Sequence, residues 1–276
     1  MGKEKRDSVK KFIVCLLKVL AVFTGWLALS HVADMYFEHT AVSRLFADLI
    51  VFVGVVLVSY VFWLIDHKSF KVVNIEEHFK NIFKGILIGA VWVGVPLVIL
   101  FITGKARIVS VNHVDYFILW IISCFFSSVM QGLLIKGYIY QLIEHTYGFA
   151  AAVVVSTVLF TVMHHGVFEA GPMTILNIAS SSVAFSFMLR YSETIILPIA
   201  AHFVWNLLGG MVLGAESMAH GYPALLNIAF NESVLFDNAH KLEGSVLVLL
   251  INIVFILTLA ILIHKKEHKT TAKAKV

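Results

Sequence analysis

Two pairs of residues, each four positions apart, carry the chemistry legible in this chain. His202 and Asn206 lie inside the apolar run 194–214, and Phe160 and His164 lie in the run 149–165. On a helix, positions i and i+4 share a face. One run therefore projects an imidazole with an amide, and the other an aromatic ring with an imidazole. A polar, ionisable ring is costly in hydrocarbon and marks a functional position by default.

The surrounding elements must be membrane helices. The chain has 276 residues, 59% hydrophobic and 14% charged, with a mean hydropathy of +0.90. Soluble domains are nearer half apolar and a quarter charged. The expected fold class is all-α, a polytopic integral membrane helical bundle of about eight transmembrane helices. About 20 apolar residues cross the hydrocarbon core. The spans are read at 12–33, 45–65, 84–104, 114–143, 149–167, 173–189, 194–214 and 245–263. The fourth is long for one crossing. The fifth and sixth are short, and a re-entrant helix is open there. The N-terminal run is read as a retained first helix rather than a cleaved signal peptide.

Charge predicts the orientation. Most of the 21 Lys and Arg fall in segments that lie inside if both termini are cytoplasmic. Membrane lipids are expected partners, since a pI near 9.0 favours anionic headgroups. Nucleic acid is excluded because no folded basic domain presents a groove. Cys15 and Cys124 fall inside spans and imply neither a disulfide framework nor a zinc ribbon.

Between spans, Val73, Ile75, Phe79, Ile82 and Phe83 suggest an amphipathic helix along the cytoplasmic surface. The loop 214–244, with Asn227, Asn231, Asp237 and His240, is expected to cap the bundle from outside. Lys18 and Asp48, in the first two spans, are candidates to pair with each other. Spans four to seven concentrate polar groups: Gln131 and Lys136, His164 and His165, Asn177 with Ser180, Ser181 and Ser182, then His202 and Asn206. The default reading is a shared interior site. Lys136 has a second reading, in which its ammonium snorkels to the interface.

With those motifs in view, the chain resembles the CAAX-protease and bacteriocin-processing (CPBP, or Abi) family of intramembrane endopeptidases over about residues 85–263. The family's motifs are a double glutamate followed after three residues by arginine, then phenylalanine and histidine four apart, then histidine and asparagine four apart. Phe160-Thr-Val-Met-His164 matches the second motif and His202-Phe-Val-Trp-Asn206 the third. Leu242-Glu-Gly-Ser245 resembles a recurrent family ending. The resemblance divides the chain into a two-helix region with its connector (1–84), a CPBP-like core (85–263) and a basic tail (264–276). It implies catalytic roles for His164, His202 and Asn206, the last two stabilising an oxyanion. Phe160, His165 and Trp205 are candidate binding residues, although His165 sits about 100° round the helix from His164.

The first motif departs from the pattern. Alignment on Gly137 puts Lys136 at the arginine position and Gln131 and Gly132 at the glutamates. A general base must take a proton at working pH, and such assistance is worth about 10²–10⁴-fold. An amide orients water but cannot deprotonate it. Glu144, about 20 Å further along a helix, is too distant to substitute unless the helix breaks, and Glu169 follows His164 in a loop. No cofactor is expected. Zinc is the weaker option, since His164 and His202 give two ligands where a catalytic zinc takes three.

The favoured function is a catalytically impaired member of the fold, a pseudoenzyme. It would bind a membrane-associated peptide or protein, in bacteriocin immunity or regulation, in a bacterial plasma membrane. An active endopeptidase and a transporter or channel are the alternatives. If His164 and His202 share a site, span five must sit at a different depth from the one its boundaries suggest.

Overall fold

A computed structural model describes residues 3–38, 40–75, 77–217, 221–231 and 239–273. Asp237 of the expected outer cap lies outside them. The chain is an all-α polytopic membrane protein with one small sheet. Among the described residues, six helices are long and apolar enough to cross a membrane: Arg6–Tyr36, Ala41–Ile65, His78–Ile102, Phe117–Tyr147, Pro172–Ser192 and Val246–Lys269. Two apolar helices, Phe149–Val162 and Ile196–Val212, are shorter. The sixth expected span, read as short, is in fact a 21-residue helix, and the short ones are the fifth and seventh. Past the end of the fifth, Gly166 and Gly171 take positive φ, and Pro172 opens the next helix at its first turn.

The chain divides into two compact units, Met1–Val73 with Ile118–Ser156, and Asn74–Phe117 with Thr157–Val276. In the first, α1 (Lys3–Tyr36) packs on α2 (Ala41–Ile65). α4 (Phe117–Gly132) continues through a π-helical stretch, Leu133–Ile139, into α5 (Tyr140–Tyr147) without a break. α6 (Phe149–Val162) begins in this unit and ends in the other.

The intramembrane charges here pair differently from the sequence reading. Lys18 binds Asp66, which also accepts the Tyr138 hydroxyl at 2.8 Å. Asp48 accepts Arg44 Nε at 3.2 Å and the Ser123 hydroxyl. Lys18 and Asp48 therefore do not pair with each other, because each finds a partner elsewhere. Lys136 does not snorkel: it is buried and donates to Ser156 Oγ at 3.0 Å.

The second unit contains α3 (His78–Ile102), α7 (Pro172–Ser192), α8 (Ile196–Val204) and α9 (Val246–Lys273). The expected surface helix after Trp63 does not form as such. The connector is irregular over 69–75, and Phe79, Ile82 and Phe83 belong to the first turns of α3. α3 lies against α8 at very close range. A Cβ on Gly85 would fall 2.5 Å from Ala200 Cβ and 2.8 Å from the Leu197 carbonyl oxygen. One on Gly89 would fall 2.7 Å from both the Ala201 oxygen and Val204 Cβ. Small residues allow this approach, and dispersion rather than the hydrophobic effect rewards it within lipid.

α7 and α9 are joined by amides. Asn177 Nδ2 donates to the carbonyls of Glu243 and Ser245, and Asn252 Nδ2 donates to Ser180 Oγ at 2.8 Å. Asn177 and the serine run thus hold helices together. The segment 242–245 gives this junction its acceptors.

β1 (Ala106–Val111) and β2 (Leu226–Phe230) pair antiparallel, Ala106 opposite Phe230, with a bulge near Ser110. They cap α3 through an apolar cluster that includes Leu97, Leu100, Ile228, Phe230 and Leu242. Residues 226–230 of the loop 214–244 are therefore anchored as a strand. Elsewhere in the loop Glu243 accepts Ser217 N and Oγ, both at 2.6 Å. Buried Glu216 has no partner for its Oε1.

Two experiments check this arrangement. Gly89→Val should overpack the α3–α8 contact and cost about 1–3 kcal/mol, read as a lower melting temperature in detergent. Burial, and then the Glu243 carboxylate, push Glu216 well above the ordinary carboxylate range. A raised folded-state value means stability that is full below the unfolded value, about 4.3, and lost as pH rises through the folded one. Glu216→Gln is neutral throughout, so it should melt higher than wild type at neutral pH and equal to it near pH 4.

Candidate functional site

The site is built on the ends of two short helices. α8 starts where Asn74 ties down the preceding turn: its Nδ2 donates to the Glu193 carbonyl at 2.7 Å, and its own carbonyl accepts Thr194 Oγ1 at 2.6 Å. α8 ends by widening into a π-helical stretch, Trp205–Val212. π-turns cost hydrogen-bond geometry and cluster at functional positions. His202 occupies the last α-helical turn and Asn206 the first wide one. Asn206 Nδ2 donates to His202 Nε2 at 3.3 Å. That bond assigns the His202 proton to Nδ1.

His164 lies just past the end of α6, where its backbone N–H turns to the Thr161 carbonyl at 3.2 Å. Its ring folds back, and Nδ1 donates to the Phe160 carbonyl at 2.7 Å. The bond satisfies a carbonyl left open by the helix end. It also leaves His164 Nε2 as the nitrogen carrying a lone pair.

Phe160 brings the two imidazoles together. Its buried ring lies 4.6 Å from His164 and 5.6 Å from His202, centroid to centroid. Phe185 of α7 completes the wall, 5.8 Å from Phe160 and 5.2 Å from His202. Trp92 of α3 follows, 5.5 Å from Phe185 and 5.6 Å from Trp205. The Trp92 indole N–H donates to Asn252 Oδ1 at 2.6 Å. Edge and tilted ring contacts of this kind add about 0.5–1.5 kcal/mol each beyond burial.

The depth problem posed by the span boundaries is resolved by α6 ending at Val162 and delivering Phe160 beside α8. His164, His202, Asn206 and Phe160 thus form one cluster. His165 is exposed on the following turn, and Trp205 stands one ring away, against Trp92. Phe185 and Trp92 escape motif reading. Their signal was only an aromatic in an apolar run, which any core residue shares.

The residues aligned with the first motif belong to the other unit. Gln131 Nε2 donates to Ser127 Oγ at 3.4 Å, and its Oε1 has no hydrogen-bond partner. Gly132 ends α4, and Lys136 lies within the π-helical stretch that follows. Glu144 accepts the Tyr140 hydroxyl at 3.4 Å, one turn away on its own helix.

The His cluster can present neutral donors, a His202 ring N–H and the Asn206 amide, and one acceptor, His164 Nε2. Removing Asn206 tests this assignment. Asn206→Leu should cost about 1 kcal/mol and release the His202 tautomer, seen as a change in its ring nitrogen chemical shifts, while the His164 shifts stay in place.

Residues 113–208 match the family model for the Rce1-like type II CAAX prenyl endopeptidases. No match was found among the curated proteins or the solved structures. The matched stretch begins before α4 and ends just after Asn206, so it spans both histidine motifs and the altered first one. Over those residues the chain is similar to this family.

Proposed function

We propose that the protein is a pseudoenzyme of this family, one that holds a membrane-associated peptide or protein segment without cleaving it. The observation that carries the reading is the contrast between its two halves. His202 and Asn206 form a bonded donor pair beside Phe160 and His164. The positions aligned with the glutamates hold an amide and a glycine. Preorganised neutral donors stabilise a carbonyl oxygen whether or not a bond is broken. An amide and a glycine at those positions cannot take a proton from an attacking water. Binding of this kind suits immunity to a bacteriocin or control of an envelope protein.

The reading needs no metal, since two imidazoles and an amide fall short of the three protein ligands of a catalytic zinc. The basic segments favour both termini in the cytoplasm, and a short polytopic chain of this type suits a bacterial plasma membrane.

One observation favours a second reading, residual proteolysis. His164 commits Nδ1 to a carbonyl and keeps Nε2 available as an acceptor, the arrangement a histidine base requires.

Reconstituted protein, incubated with photo-crosslinkable membrane peptides, separates the two. Wild type should crosslink and leave the peptide intact, and His202→Ala should lose most crosslinking. Gln131→Glu with Gly132→Glu should raise cleavage by about 10²-fold or more. Cleavage by wild type that disappears in His202→Ala would overturn the pseudoenzyme reading.

A further inference from the structure

A second constellation, unrelated to the histidines, lies where α3 begins, α7 ends and the apolar part of α9 stops. A cavity of about 410 Å3 opens there. Five lysines line it, Lys80, Lys84, Lys265, Lys266 and Lys269, against one acid, Glu77. Two of the five are already engaged. Lys80 binds Glu77 at 2.8 Å, and Lys266 binds Glu193 at 2.7 Å and the Tyr191 carbonyl at 3.2 Å. A further acid nearby, Glu267, is held by Arg190 at 2.9 Å. Among the described residues, Lys84, Lys265 and Lys269 form no ion pair.

Three ammonium groups without an ion-pair partner, beside the single Glu77 carboxylate, repel each other in one concavity. A site that keeps them together is matched to a multiply charged oxyanion. Its level on the helices says where that anion comes from. Lys84 immediately precedes the apolar run of α3, and Lys265 follows the end of the apolar run of α9. Both mark the boundary between hydrocarbon and headgroups, the level at which lipid phosphates lie. Leu262 gives the cavity an apolar edge, on the side from which an acyl chain would continue. A freely soluble phosphate would gain nothing from that edge.

We propose that this cavity binds the phosphate headgroup of an anionic glycerophospholipid, with Lys84, Lys265 and Lys269 as its ligands. The lipid holds the ends of α3, α7 and α9 together by neutralising charges that the protein leaves unpaired. The site is independent of the histidine cluster and of whether that cluster is catalytic.

The full-length protein in a neutral detergent, followed by native mass spectrometry, provides the test. The probes are phosphatidylglycerol, phosphatidylcholine and inorganic phosphate. Wild type should retain phosphatidylglycerol in preference to phosphatidylcholine, and inorganic phosphate at the same concentration should not displace it. Each of Lys84→Gln, Lys265→Gln and Lys269→Gln should weaken retention about fivefold, and the triple variant on the order of a hundredfold. The charge-matched control Lys10→Gln, Lys11→Gln, Lys68→Gln should retain the lipid as wild type does. The single variants carry the test if the triple one does not fold. Equal retention of phosphatidylcholine, ready displacement by inorganic phosphate, unchanged retention in the cavity variants, or an equal loss in the control would each overturn the proposal.

Discussion

The approach of α3 to α8 at Gly85 and Gly89 is the constraint on which the site depends. Two side chains are absent so that one backbone can rest on another, with Leu197, Ala200, Ala201 and Val204 filling the space. His202 comes next to Ala201 in the sequence, so the contact fixes the height and rotation of the imidazole. Trp92 lies one turn beyond Gly89 on the same helix and reaches the rings of Phe185 and Trp205. In lipid, helix association draws little on the hydrophobic effect, so close packing and internal hydrogen bonds must supply it. The Trp92–Asn252 bond and the Asn177 junction are the polar complement to that packing.

The same histidines that look costly in a hydropathy plot are stabilised by modest means. His164 closes the end of its own helix, and His202 accepts from an amide one turn ahead. Neither needs a charged neighbour. Each bond also fixes a tautomer, so the cluster is polarised: one imidazole presents a lone pair and the other an N–H. That division of labour comes from backbone carbonyls and amides, groups that no motif reports.

Legibility from sequence follows the physics of each feature. Among the described residues, apolar runs marked the six long helices, because a crossing of the hydrocarbon core demands them, and the two shorter ones as well. The i, i+4 rule paired His202 with Asn206 and Phe160 with His164 because both contacts are local. Partners distant in sequence were not legible. Lys18 reaches Asp66 rather than Asp48, and Phe185 joins from another helix. The strands Ala106–Val111 and Leu226–Phe230 are short and separated by more than a hundred residues, so neither alternation nor a turn signal linked them. Of the connector's apolar positions, Phe79, Ile82 and Phe83 belong to the opening turns of α3, while Val73 and Ile75 lie in the irregular segment before it. The wide helical turns at Leu133–Ile139 and Trp205–Val212 leave no periodic trace, since one inserted position is invisible against a 3.6-residue repeat.

That last feature reaches beyond the pocket. A π-turn is in effect one extra residue accommodated without breaking the helix. Shortening 205–212 by a single position would relax it to an ordinary α-helix and swing everything downstream by about 100°. Ala215 would lose its bond to the Gly209 carbonyl, and Leu225 its bond to the Met211 carbonyl. The strand that follows could then no longer find its register. Chain length at this point is therefore fixed as tightly as residue identity.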